Sequence, residues 1–208
     1  MLTLYYAPHT ISLATHIALE EVGADYSTVR IDFATNQQRS PDYLKINPKG
    51  RMPALVTDRG ILTETPAMLV YVAQSFPKAG LAPMDDPFFF AEIQSFNSWL
   101  CSHLHVAHAH RMRGHRWVDP EDKQAIAAMQ RKVPQSVGDS FALVEREMLK
   151  GPWVMGERYT ICDPYLFTLA QWLEADGVDP ATIPHVIDHR RRMAERTTVK
   201  KAISQEFA

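Results

Sequence analysis

Pro53, at the mouth of the apolar run Ala54-Leu55-Val56, limits what this chain can build more than any other residue. It has no N–H for a sheet ladder, so it must open a strand or lie on an edge. Arg59-Gly60 then supplies a tight turn, and Ile61 to Thr63 return as a second strand. Thr65 and Pro66 read as N-cap and first helical position of a helix running through Met68, Leu69 and Val72. Residues Asn47 to Tyr71 therefore predict loop, strand, turn, strand and helix. Glu64 and Thr65 make the helix start a polar pocket, where free N–H groups and the helix dipole favour an anion.

Upstream, Leu2 to Tyr6 is a β-prone run stopped by Pro8, and Ile11, Leu13, Ile17, Ala18 and Glu21 space out an amphipathic helix ending near Gly23. Tyr26 to Ile31 alternates as a strand, and Pro41 to Leu44 allows a short helix. The resulting order, β-α-β-α-β-β-α, is an α/β layer over residues 1–76, with a right-handed crossover between its parallel strands. Three prolines, Pro77, Pro83 and Pro87, with Gly80 mark residues 77–86 as a linker. Residues 87–208 read as an all-helical domain. Ile93, Phe96, Leu100, Leu104 and Ala107 hold helical spacing, and Asp119-Pro120-Glu121-Asp122 predicts a helix start with Asp119 as its cap. The helix that follows should kink at Pro134. Thr160 and Asp163 form a capping box worth roughly 0.5 to 2 kcal/mol of stability, and shorter helices are expected over 181–195 and 199–206.

Hydrophobic residues make up 46% of the 208, enough for a sizeable core, and the formal charge of −2 argues against nucleic-acid binding, which needs a basic face. The opening residues lack a basic leader, and polar residues interrupt every apolar run, so no signal peptide or membrane span is expected and the cytoplasm is the default. Cys101 and Cys162 are far apart and suggest neither a disulfide framework nor a metal site. The histidine run His103, His105, His108 and His110 invites a metal reading. At about 100° per residue, however, the first and last share one face while the middle two share nearly the opposite one, so no metal is expected.

The order of X-Pro, strand, turn, strand and Glu64-Thr65-Pro66-Ala67 resembles the glutathione-site half of the thioredoxin-like domain in cytosolic glutathione S-transferases. The segment Gly156-Glu-Arg-Tyr-Thr-Ile-Cys-Asp163 resembles the capping segment of their helical domain, and the start, Tyr5-Tyr6-Ala7-Pro8 with Ser12-Leu13-Ala14, looks most like the bacterial beta-type branch. The resemblance implies conjugation of the glutathione thiolate to an electrophilic, largely apolar second substrate. It implies a cis Met52-Pro53 bond whose exposed Met52 backbone holds the cysteinyl part of glutathione, Glu64 at the γ-glutamyl ammonium, and Thr65 with the helix-start amides at the adjoining carboxylate. A homodimer is also implied, with Met68 and Phe89 as apolar positions one domain would leave uncovered.

In three places the chain departs from that pattern, one of them Val106, which follows Leu104-His105 where the beta-type branch has a lysine. Ile11 stands where the beta-type branch has a cysteine, which excludes mixed-disulfide chemistry at that position, and the lysine expected after the second strand has no clear counterpart except Arg39. A thiol of pKa about 8.5 is only a few per cent ionised near neutrality, so a hydroxyl at the first helix's start is expected to stabilise the thiolate. Ser12 is favoured, Tyr6 comes second and Thr10 third, with His105 as a further catalytic candidate. The plainer alternatives are that Ser12 only caps, Tyr6 only packs, and His16 and His105 lie on helix surfaces. Ile11 also leaves open a non-catalytic glutathione-binding module, or a glutathione-dependent isomerase or dehalogenase.

Overall fold

The computed structural model of the chain describes residues 1–207. Strands β1 (Leu2–Tyr6), β2 (Tyr26–Arg30), β3 (Ala54–Thr57) and β4 (Gly60–Thr63) alternate with helices α1 (Ser12–Glu21), α2 (Pro41–Ile46) and α3 (Thr65–Ser75) in the expected order. The sheet runs β2-β1-β3-β4, with β1 and β2 parallel and the other neighbours antiparallel. β3 is thus an interior strand. Pro53 stands just before it, so the missing N–H falls outside the ladder.

Register decides where function can gather. Ala54, first in β3, pairs with Tyr5 of β1 on one side and Thr63 of β4 on the other. The continuations of these three strands, Tyr6-Ala7, Met52-Pro53 and Glu64-Thr65, therefore emerge at one end of the sheet.

Helix α1 differs from its expected amphipathic form. Every residue from Ser12 to Glu20 is buried, His16 completely. The reason is a contact the sequence pattern does not carry: α1 packs against α3 and also against α9 (Thr197–Glu206). Compact packing groups the segment from Met193 onward with residues 1–91, while Glu92–Arg192 form the second unit. The helical run expected over 87–208 is thus divided, its last helix serving the sheet domain.

Between them lie α4 (Pro87–Trp99), α5 (His105–Arg113), α6 (Lys123–Leu143), α7 (Cys162–Ala170) and α8 (Pro184–Glu195). Ile93, Phe96, Leu100, Leu104, Val137, Phe141, Tyr165 and Phe167 fill the core of the second unit. Wider π turns at Leu100–Leu104 and Val144–Met148 interrupt the α-helical register. α6 begins later than expected. Asp122 caps it by accepting the Ala125 N–H at 2.9 Å, whereas Asp119 accepts from Glu121 in a preceding turn. Pro134 lies inside this helix, against Gly177. Met68 is fully buried, so it does not contribute the uncovered apolar surface expected of it; Phe88, 76% exposed, does. Both cysteines are free, and burial pushes the Cys162 thiol well up from its ordinary pKa.

Candidate functional site

The loop leading to Met52 is wound around Asn47. Its side-chain amide donates to the Arg51 carbonyl at 2.7 Å, and its side-chain oxygen accepts the Lys49 N–H. The Tyr43 hydroxyl donates to the same Arg51 carbonyl at 2.7 Å and lies 3.4 Å from the Met52 sulfur. Burial pushes the Tyr43 pKa up to about 12, so it stays a donor throughout the physiological range. Gly50 sits at φ +60°, and a Cβ there would lie 3.1 Å from Arg39 side-chain atoms and from the Gln38 carbonyl. Only glycine meets both demands without strain. Arg39, the sole counterpart proposed for the missing lysine, is thereby packed against this loop. The Met52-Pro53 bond is cis, and Met52 is half-buried.

Beside it, Glu64 occupies φ 72°, ψ 116°, a backbone region that non-glycine residues rarely adopt. It stands in the cap position of α3 yet places no side-chain oxygen over the first turn. Instead its carboxylate meets Lys49 Nζ at 2.6 Å, and that ammonium also reaches the Thr63 hydroxyl at 2.7 Å. Lys49 and Glu64 are 46% and 58% exposed, so the pair is worth at most about 1 kcal/mol. In the first turn Pro66 has no N–H, and the Met68 N–H is taken by the Glu64 carbonyl. The Thr65 and Ala67 amides are the ones a helix leaves without an internal partner. Thr65 itself is buried.

The third segment is the turn from β1 into α1. Ser12 is fully buried; its hydroxyl donates toward the Ala7 carbonyl at 3.0 Å and lies 2.8 Å from that of Thr10. Thr10 is half-buried, and its hydroxyl donates to the same carbonyl at 2.8 Å. Tyr6 points elsewhere. It is buried, its hydroxyl donates to the Gln205 carbonyl of α9 at 3.3 Å, and its pKa is raised by burial first and by Glu206 second. His9, at φ +60°, packs its ring tilted at 56° to that of Phe207, with centroids 4.7 Å apart. His16 is not a surface residue: its ring bridges Glu206 (3.3 Å) and the Gln205 side chain (2.9 Å).

Met52, Pro53, Glu64 and Thr65 are therefore brought to one end of the sheet, with Thr10 and Ser12 on the adjoining turn. His105 lies in the second unit, at the first position of α5, half-buried with its ring 5.7 Å from Trp172. Its histidine neighbours have separate occupations. His103 stacks on Trp99, His108 meets buried Asp176 at 2.7 Å, and His110 packs edge-on to Trp117, where burial lowers its pKa. Among the described residues, no three His, Cys, Asp or Glu side chains gather as a metal site would need.

Sequence reasoning overlooked Lys49, Tyr43 and the α9 residues. Asn47 and Gly50 could have been found from the turn chemistry of Asn-Pro-Lys-Gly. Nothing local announces that Gln205 and Glu206 return to α1.

Similarity to known proteins agrees with this geometry. The glutathione S-transferase N-terminal domain profile matches residues 1–74. The chain is 35% identical over 207 residues to glutathione S-transferase GstA of Escherichia coli O157:H7, covering 98% of both chains. It superimposes with a TM-score of 0.95 on a glutathione transferase homologue from Sulfitobacter crystallised with bound glutathione, at 45% identity and covering 100% of this chain and 99% of that one. A beta-class glutathione S-transferase from Sphingomonas chungbukensis gives a TM-score of 0.85 at 32% identity, with 98% of each chain covered.

Proposed function

Since the chain belongs to the glutathione S-transferase family, we propose that its transferase chemistry is organised at the sheet end where Met52, Glu64 and Thr65 converge. The protein is a glutathione transferase, with glutathione as its substrate. In our reading the Met52 backbone pairs with the cysteinyl residue, the Glu64 carboxylate takes the γ-glutamyl ammonium, and Thr65 with the first-turn amides takes the neighbouring carboxylate. One observation carries this reading above the others. Glu64 holds an unfavourable backbone angle while leaving the helix start beneath it uncapped, an arrangement that sacrifices stability and is explained by a ligand that fills the gap.

The second substrate we propose is a small, largely apolar electrophile, attacked at carbon by the thiolate. Binding glutathione beside it converts a bimolecular encounter into an oriented one. Chloro-dinitrobenzene is a suitable probe: the sulfur bonds to the ring carbon and chloride leaves. Ile11 supports this conjugation over disulfide exchange, since it has no sulfur to form a mixed disulfide. Exposed Phe88 supports the family's homodimeric habit, which sedimentation velocity would check. Among the described residues no helix is long and apolar enough to cross a membrane, and we propose a cytoplasmic location.

Glu64→Ala tests the site. Removing the carboxylate should weaken glutathione binding roughly tenfold to a hundredfold, as expected for a charged hydrogen bond. Calorimetric titration would show this, and an unchanged affinity would reject the placement.

A further inference from the structure

We propose that Lys49 sets the selectivity of the glutathione site: its ammonium holds the Glu64 carboxylate in the free protein and competes there with the ammonium of an incoming γ-glutamyl group. The inference rests on the site reading above, which gives Glu64 to that ammonium, and deepens it.

Both side chains leave fixed backbone. Lys49 lies in the turn wound on Asn47, where its N–H donates to the Asn47 side-chain oxygen at 3.1 Å and the Gly50 N–H donates to the Asn47 carbonyl at 2.9 Å. Glu64 is held at φ 72° while its carbonyl accepts the Met68 N–H at 3.0 Å. Only the two side chains span the gap. Lys49 Nζ donates to Glu64 Oε1 at 2.6 Å and to the Thr63 hydroxyl at 2.7 Å, using two of its three protons.

Among the described residues the Glu64 carboxylate has no other hydrogen-bond partner. Lys49 thus presents to it the same group, a primary ammonium, that the γ-glutamyl end of glutathione carries. A carboxylate has room for two such donors, but the two cations then stand close together and repel. The ligand must displace Lys49 or bind against its charge, and either weakens the capture of glutathione.

Exposure marks this pair as one made for exchange. Lys49 and Glu64 are 46% and 58% exposed, so water takes up both charges when they part and the fold loses little. Glu21, in the same unit, shows the permanent alternative: it is 6% exposed and held by Arg196 through two nitrogens, at 2.7 and 2.6 Å. The competition falls only on ligands that bring an ammonium. An analogue without one, glutaryl-cysteinyl-glycine, leaves Lys49 in place on Glu64. The wild-type site therefore discriminates less between glutathione and this analogue than a site lacking Lys49.

The test is calorimetric titration of wild type, Lys49→Met, Lys49→Arg, Glu64→Gln and the Lys49→Met/Glu64→Gln double variant with glutathione and with glutaryl-cysteinyl-glycine. Low salt is used, where exposed charges are least screened. Lys49→Met should bind glutathione about twofold to fivefold more tightly than wild type, the range an exposed ion pair supports. The ratio of glutathione to analogue affinity should rise by the same factor. Lys49→Arg keeps the cation and should bring no gain. In the Glu64→Gln background Lys49→Met should also bring none, because the competition runs through the carboxylate. Unchanged or weaker glutathione binding in Lys49→Met, an equal gain for the analogue, or an equal gain in the Glu64→Gln background overturns the assignment. Lys49→Gln replaces Lys49→Met if the latter fails to fold. Failure of the wild type to bind glutathione, or Glu64→Gln binding it as tightly as wild type, would instead overturn the site reading beneath.

Discussion

Two helices in this molecule begin with a threonine and a nearby acidic residue, and they use them in opposite ways. At α7 the box is closed. Asp163 is fully buried and accepts the Thr160 N–H at 2.7 Å and the Val154 N–H at 2.8 Å, with His189 Nε2 at 3.0 Å. At α3 the acidic residue faces outward on a strained backbone, and its exposed carboxylate is shared with Lys49 across the surface. A carboxylate whose bonds are all internal stabilises the fold. One whose partners are solvent and a single exposed ammonium keeps acceptor capacity that the fold does not use.

The sharpest way to break this contrast is Asp163→Ala. It strips two buried N–H groups and a buried imidazole of their acceptor, so unfolding in denaturant should show a loss of about 3 to 5 kcal/mol. That is a large share of the roughly 5 to 15 kcal/mol that holds a domain together. Glu64→Ala should leave the same denaturation curve within about 0.5 kcal/mol while weakening glutathione binding. A mild Asp163 variant, or a strongly destabilised Glu64 variant, would erase the distinction.

Gly50→Ala comes next and asks whether the open site still needs a rigid support. The new methyl would meet Arg39 and the Gln38 carbonyl at 3.1 Å on a backbone with φ +60°. We expect a loss of about 1 to 3 kcal/mol in stability, accompanied by weaker glutathione binding because Met52 lies two residues on. Destabilisation with unchanged affinity would mean that the loop tolerates movement the site reading does not allow.

How much of this was legible beforehand depended on how local the cause was. Pro53, Arg59-Gly60 and Thr65-Pro66 each constrain their own backbone, and strands, turn and helix formed there, with turn and helix start one residue earlier than expected: Asp58-Arg59 make the turn, Gly60 opens β4, and Glu64 rather than Thr65 stands in the cap position of α3. The Thr160–Asp163 box was equally visible, though not its tie to His189, which comes from another helix. Asp119 misled because Asp119-Pro120-Glu121-Asp122 offers two aspartates as possible caps, and the inner one took the helix. The ranking of Ser12 over Thr10 rested on position in a helical turn, which does not announce that Ser12 is fully buried. His16 looked like a surface residue because α9 covers it from 190 residues away. Nothing in the 3.6-residue pattern of α1 encodes that visit.

The smallest expected effect concerns that covering contact, and it carries the comparison to a carboxylate of intermediate kind. Glu206 is as buried as Asp163, but where Asp163 gathers two backbone N–H groups, Glu206 faces the His16 imidazole at 3.3 Å. Burial raises its pKa above the usual 4.5, and attraction from His16 and His9 only partly opposes this. Glu20, Tyr26, Lys201, Tyr6 and Arg30 are further ionisable groups around this face of α1. A raised pKa means the folded chain holds this proton more tightly than the unfolded one. Its contribution to stability is fully present below 4.5 and is lost as pH rises through the folded value. Glu206→Gln keeps the shape and removes the titration. The melting temperature of wild type should therefore fall relative to that of the variant as pH rises from 4.5 across the mildly acidic range. Parallel curves would mean that Glu206, like Asp163, has its charge fully accommodated, and that burial under α9 leaves no electrostatic debt.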